Sequence, residues 1–353
     1  MCSEHGSEHD CGHGAATGAE PLFRAAEDGL VTLGPDVTEL MIALDDHIRG
    51  WARGVPARPM IYPPLMRAAD LDTLDFFHNF PHLGVMTAGI DEVHHATVAD
   101  EAKAGPVTRI AGDRLTDATH VLPTAACYNV YLDLRGARLD APRFVTTVAR
   151  CFRREAYYDG LRRLTGFTMR EIVCVGPQDA VKAHLKTFRA RVLAFADRLD
   201  LPLKIEAATD PFFSNDAART AMQKLFPVKE EFVYGDTLAI ASVNFHRNFF
   251  GERCDIHTKD GSHAFSGCVA FGLERWMHAL LDMHDGNVRR ARAALEVAIA
   301  DEAAELAASG LLPGDLVAPP PADEAQRPKP PRATGGAANA RRERGPADAG
   351  AGA

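Results

Sequence analysis

The chain has 353 residues, 46% of them hydrophobic, enough for one large core or a core with a small appendage. Its net charge of −9, with no basic block in the part expected to fold, speaks against a broad nucleic-acid footprint. No run of eighteen apolar residues could span a membrane and no apolar signal opens the chain, so a cytoplasmic protein without membrane partners is expected.

In chain order, residues 1–20 are rich in His, Gly and Ser, which predicts an unfolded tail. Cys2, His5, His9, Cys11 and His13 give that tail a second reading as a scavenger of soft metal. Residues 21–53 offer one or two short helices ended by Gly34 and Gly54, with no heptad repeat long enough for a coiled coil. Residues 62–66 carry Pro63 and Pro64, which cannot donate to a ladder and suit the edge of a sheet. Residues 145–152 and 167–175 are apolar and rich in β formers, so they read as two strands flanking a polar loop. Arg153 and Glu155, two apart, would share one face of a strand; an ordinary cross-strand ion pair is the plain reading of such a pair.

Beyond the second strand, residues 179–199 have helical apolar spacing and 203–208 form a candidate strand. Residues 215–225 read as a shorter helix closed by Pro227, presenting Arg219, Lys224 and the nearby Lys229 beside Met222 and Leu225. Residues 238–250 read as strand and turn. Residues 264–277 run from an apolar strand through Gly272 into a helix over 274–284. Arg275 lies in the first turn of that helix, where a cation opposes the dipole, so an anionic ligand nearby is implied. Residues 318–353 contain no Leu, Ile, Val or Phe and cannot offset their ordering entropy. The expected organisation is therefore a disordered tail (1–20), one folded domain (21–317) and a second disordered tail (318–353). Seven cysteines, an odd count falling partly in apolar segments, argue against a disulfide framework.

Residues 150–176, RCFRREAYYDGLRRLTGFTMREIVCVG, resemble motif 2 of the class II aminoacyl-tRNA synthetases, in particular the seryl branch. AFSGCVAFGLERWM (264–277) resembles motif 3, and Tyr62-Pro-Pro-Leu-Met resembles motif 1, which in that class helps form the dimer interface. HVLPTAACYNVYLDL (120–134) is similar to the seryl amino-acid loop, with Thr124 kept and Ala126 in place of a Glu. Over 238–250 the resemblance continues, with Leu238 or Ala239 where the family has a Glu. The resemblance implies an α+β fold: an antiparallel sheet flanked by helices, in a homodimer.

Cys127, Glu171 and Cys268 each fall in one of these segments, and the resemblance implies that their strands are neighbours. Two thiolates and a carboxylate with an open fourth position make a plausible catalytic zinc set, though buried free cysteines are also common. A Cys/Glu/Cys zinc centre marks the atypical seryl-tRNA synthetases of methanogens and their truncated relatives, the amino acid:[carrier protein] ligases. Only residues 1–61 precede the motif 1-like segment, too little for the tRNA-binding domains of the synthetases, so no tRNA partner is expected.

The chain is thus identified as a member of the carrier-protein ligases. What that implies is activation of a small amino acid, glycine or alanine, with ATP, and transfer to the phosphopantetheine thiol of a carrier protein. Arg153 and Arg275 would clamp the α- and γ-phosphates, with magnesium bridging the phosphates. Glu155 would contact the adenine or position Arg153, Phe167 would stack on the base, and Thr124 would belong to the amino-acid loop. In these ligases an extra helix docks the carrier protein; the basic helix 215–225 with Arg219 and Lys224 is the candidate, a solvated helix face being its plainer reading. Two alternatives stay open: a minimal seryl-type tRNA synthetase, and a paralogue without catalysis, which would be expected to have lost a phosphate arginine or a zinc ligand.

Overall fold

The computed structural model describes residues 21–208 and 228–308, all within one compact unit. A hairpin of β1 (Phe23–Ala25) and β2 (Val31–Leu33) opens it, turning through Gly29 at φ 76°. A single 18-residue helix follows, α1 (Pro35–Ala52), with proline in its first turn and Val37, Leu40, Leu44, Ile48 and Trp51 buried along one stripe. This corrects the expectation of one or two short helices over residues 21–53. Gly34 precedes the helix instead of ending one, and strands too short to show a period lie before it.

Strand β3 (Arg58–Met60) ends before Pro63 and Pro64, so the strand expected at 62–66 lies a few residues earlier. A small three-stranded sheet, β4 (Met66–Arg67), β5 (Met86–Thr87) and β6 (His120–Val121), is interleaved with α2 (Ala68–Thr73), α3 (Phe76–Asn79) and α4 (His95–Ala104). Then come α5 (Tyr128–Asp133), β7 (Arg138–Leu139), β8 (Arg143–Phe152), β9 (Gly166–Gly176), α6 (Gln178–Arg198) and β10 (Leu203–Ala207). After residue 228 follow β11 (Lys229–Tyr234), β12 (Leu238–Arg247), α7 (Phe249–Arg253), β13 (His257–Thr258), β14 (Phe265–Gly272), α8 (Leu273–Met283) and α9 (Val288–Ala308).

The main sheet has seven strands in the order β10-β11-β12-β14-β9-β8-β3. Its pairs are antiparallel except β3 with β8, which run parallel at the edge. The expected α+β architecture is present, with this one departure from a purely antiparallel sheet. Helices α1, α6, α8 and α9 share one large core with Ile172, Val269 and Phe271 of the sheet, sealed by Phe188, Phe195 and Trp276. Burying each such side chain contributes about 1.5–3 kcal/mol. A second apolar cluster forms around Val145, Val173 and Val175 with Tyr131, Phe250 and Ile256. Among the described residues no helix is long and apolar enough to cross a membrane, and the five described cysteines are all free. The expected tails, the helix expected over 215–225 and residues 309–317 of the expected domain all lie outside the described residues.

Candidate active site

Side chains alternate across a strand, so β9 turns Phe167, Met169 and Glu171 to one face. In register, Glu171 faces Ala270 of β14, and Cys268 faces Asn244 of β12. Cys127 reaches the same point from outside the sheet, at the start of α5. One sulfur or carboxylate oxygen from each of Cys127, Glu171 and Cys268 lies within 4.8 Å of the others, all three residues being buried. Glu171 Oε1 accepts hydrogen bonds from the Ala126 and Cys127 amides at 3.0 and 3.1 Å, pinning the loop that carries Cys127. Glu171 Oε2 is buried without a hydrogen-bond partner. Asn244 Nδ2 donates to Cys268 Sγ at 3.4 Å, and Tyr131 and His246 join behind the pair at 3.1 Å.

A hydrogen bond from the Cys268 thiol pulls the Cys127 thiol down, but burial and the Glu171 carboxylate outweigh it and hold it at about 11. The Cys127 thiol, burial and Glu171 together push Cys268 well above the ordinary thiol range. Left to themselves, these thiols stay protonated beside a carboxylate oxygen that lacks a partner. That donor set fits a zinc ion, which takes thiolate sulfur and carboxylate oxygen and would reverse both penalties.

The trio lines a cavity of about 420 Å³ whose wall also includes Thr124, Phe76, Phe80, Tyr128 and Phe249. A second cavity, of about 100 Å³, adjoins it; both are lined by Arg153, Met169, Lys229, Ser242 and Ala270. Arg153 and Arg275 both line the smaller cavity, with Glu155 and Phe167. Arg153 is fixed by two hydrogen bonds to the Thr124 carbonyl, at 3.1 and 3.0 Å, and lies over the Phe167 ring at 5.2 Å. Arg275 donates to the carbonyls of Arg162 and Ala239, both at 2.9 Å. Burial first, then the neighbouring Arg153 and Arg163, pull the Arg275 guanidinium down to about 10. It remains charged at neutral pH, so cations that repel one another are held together, as a site for a polyanion requires.

Some expectations need correction. Strand β8 stops at Phe152, so Arg153 and Glu155 do not share a strand face; they meet the same cavity from the loop beyond it. Glu155 pairs with Arg163, at 2.6 Å, within its own loop. Lys229, grouped with the docking helix, instead lines both cavities and pairs with Glu231 at 3.1 Å. Arg219 and Lys224 lie outside the described residues. Glu231, Ser242 and Asn244 went unread because only the pairing of β11 with β12, and of β12 with β14, brings them to the site. The polar alternation of Ser242 and Asn244 within the otherwise apolar start of β12 was the available signal.

No family model matches the chain. It is 32% identical over 293 residues to "Amino acid--[acyl-carrier-protein] ligase 1" of Bradyrhizobium diazoefficiens, spanning 75% of this chain and 86% of that one. Among solved structures, seryl-tRNA synthetase of M. kandleri, in complex with A. aeolicus tRNASec, superposes with a TM-score of 0.66 at 20% identity over 81% of this chain and 58% of that one. Seryl-tRNA synthetase of Pyrococcus horikoshii complexed with ATP gives a TM-score of 0.52 at 14% identity, covering 72% of this chain and 53% of that chain. The fold is that of the class II aminoacyl-tRNA synthetases. With a third of the residues shared across most of the Bradyrhizobium enzyme's length, the chain belongs to the amino acid–[acyl-carrier-protein] ligases.

Proposed function

We propose that the chain activates a small α-amino acid, glycine or alanine, with ATP and passes the aminoacyl group to the phosphopantetheine thiol of a carrier protein. The observation that carries this reading is the pair of adjoining cavities, one lined by Arg153 and Arg275 and the other by the Cys127/Glu171/Cys268 trio. ATP would enter the smaller cavity with its base on Phe167 and Glu155 at its edge. Arg153, on the shared wall, would meet the α-phosphate and Arg275 the γ-phosphate. Glu231 lines the same cavity and is a carboxylate able to meet a magnesium ion arriving with the nucleotide.

Zinc held by Cys127, Glu171 and Cys268 would supply a Lewis-acid anchor for the α-amino group. Thr124 and the loop pinned by Glu171 would close over the substrate, leaving its carboxylate to face the shared wall. One carboxylate oxygen then bonds to the α-phosphorus, and pyrophosphate leaves with the electron pair of the broken bridge bond. Arg153 and Arg275 stabilise the charge that moves onto the leaving group, a contribution of roughly 3–4 kcal/mol for each well-placed donor. Holding both reactants in fixed register supplies much of the remaining acceleration. In the second half-reaction the pantetheine thiolate attacks the acyl carbon and AMP departs. A thiolate is nucleophilic enough that no dedicated base is needed.

Amino-acid-dependent pyrophosphate exchange across all twenty amino acids, followed by transfer to holo carrier protein or to tRNA, tests this. Exchange with a small amino acid and transfer only to carrier protein is expected. Charging of tRNA with carrier protein ignored would mean a minimal synthetase, and no exchange at all a paralogue without catalysis. The enzyme would act as a homodimer along the edge strand β3, where the adjoining Ile61 is 93% exposed. Sedimentation at micromolar concentration should give twice the chain mass, and Ile61→Asp should shift it toward monomer.

A further inference from the structure

The connection between α7 and β14 carries a second group of metal-type donors, remote in sequence from Cys127 and Glu171. Asp255, His257 and His263 each place one carboxylate oxygen or ring nitrogen within 4.8 Å of the others. The two histidines are bridged across a tight hairpin and their rings lie 4.5 Å apart. His257 Nε2 sits 2.8 Å from Asp255 Oδ1, while its Nδ1 lies 3.0 Å from the Gly261 carbonyl. An imidazole whose Nδ1–H is held by a backbone carbonyl leaves its Nε2 as the metal-binding nitrogen, and here that nitrogen faces the Asp255 carboxylate. His263 Nδ1 is buried and has no hydrogen-bond partner. Asp255 is fixed at φ 53°, a left-handed conformation unusual for a residue other than glycine.

We propose that Asp255, His257 and His263 form a second metal site, for a divalent cation of the zinc class. Two imidazoles and one carboxylate with an open position suit zinc and its first-row neighbours. The hard cations magnesium and calcium prefer all-oxygen shells and fit poorly. Arg138, paired in register with His257, opposes a cation there, and Asp255 offsets it. The rival occupant is a proton: a charged His257 bridging Asp255 and Gly261 would explain the same distances without metal.

The hairpin's position indicates what the metal would do. His257 N donates to the Ala137 carbonyl and Gly136 N to that of Cys254, joining the turn to the segment after α5. The hairpin leads directly into β14 and Cys268. A cation clamped there would fasten the connection from α7 into β14, the strand that carries Cys268, acting on stability and leaving the chemistry alone.

The test uses the full chain, loaded with cobalt(II) and separately with zinc(II), in wild type, His257→Ala, His263→Ala, Asp255→Asn and Cys127→Ser. Bound metal per chain is counted after equilibrium dialysis, and thiolate-to-cobalt absorption is recorded alongside. Each of the three hairpin variants should bind about one ion fewer than wild type while keeping the thiolate band. Cys127→Ser should lose the band and keep the hairpin ion, so failure of the thiol site and of this one are read separately. The terminal His/Cys tail is common to all and cancels in the differences. Zinc should also raise the melting temperature of wild type more than that of His263→Ala. Equal metal content in wild type and the folded hairpin variants overturns the proposal. So does a wild type whose bound cobalt disappears entirely in Cys127→Ser.

Discussion

Strand β9 faces two different environments, and the contrast between its sides separates scaffold from site. On the helix side, Thr168 donates to Glu274 at 2.7 Å through both amide and hydroxyl, and Arg170 forms a double hydrogen bond with Asp45 at 2.7 and 2.6 Å. Ile172 fills the apolar core between them and α6. On the other side Glu171, equally buried, has one oxygen committed to two amides and one committed to nothing. A buried carboxylate oxygen without a partner costs several kcal/mol unless something answers it. On β9 itself, the polar side chains of the scaffold side, Thr168 and Arg170, meet partners within the protein, whereas on the site side one oxygen of Glu171 is left for a ligand.

If that contrast holds, substitutions on the two sides should fail in different ways. The largest effects belong to the arginines. Arg153→Ala and Arg275→Ala should each slow adenylate formation by roughly 10²–10³-fold with zinc content intact. Cys127→Ser and Cys268→Ser should instead lose one zinc per chain, the thiol-site ion, and weaken amino-acid binding. Pyrophosphate exchange paired with metal analysis checks both, and a zinc content per chain equal to wild type in both cysteine variants would remove the metal assignment. Next, Ile172→Ala on the helix side should cost about 3 kcal/mol of stability, measured by denaturant unfolding, while exchange activity in the folded fraction persists.

A pH experiment sharpens the same contrast. Burial pulls His184, whose Nε2 bonds the Ile172 carbonyl at 3.2 Å, down to about 4 from its ordinary 6.5. Because the folded value lies below the unfolded one, the contribution is whole above the ordinary value and drains away as acid charges the unfolded chain first. Roughly 2 kcal/mol should vanish between about pH 7 and 5, and His184→Gln should flatten that slope in unfolding curves without altering zinc content. The smallest effect concerns carrier docking. Arg219→Glu with Lys224→Glu should slow transfer to carrier protein several-fold at low salt and less at high salt. Adenylate formation should not change; unaltered transfer would send the docking surface elsewhere.

Much of this site was legible because its residues sit in segments with strong local signatures. Strands β8 and β9, the 21-residue helix α6 and the β14–α8 junction all carry runs long enough to show their period. Cys127, Glu171 and Cys268 were readable through resemblance, and the fold then brings them together. What escaped depends on register or on short elements. Lys229 looks like one more surface cation until β11 pairs with β12 and carries it to the wall between the cavities. The three-residue strands β1, β2 and β3 are too brief for alternation to mean anything. Arg153 and Glu155 were placed on a strand that ends one residue earlier, because an apolar run cannot say where its ladder stops.

The place of β14 in the sheet has a consequence for how the protein is made. It is the last strand of the sheet to leave the ribosome, yet it lies between β12 and β9. Until residues 265–272 emerge, β3-β8-β9 and β12-β11-β10 are separate half-sheets, each with a long unpaired border. Cys268 and Arg275 are still missing at that stage, so the nascent chain can neither assemble the thiol cluster nor bring Arg275 to the cavity that Arg153 lines. Assembly of the site is thereby tied to the final closure of the sheet, and the exposed borders of the incomplete chain are what chaperones would have to shield.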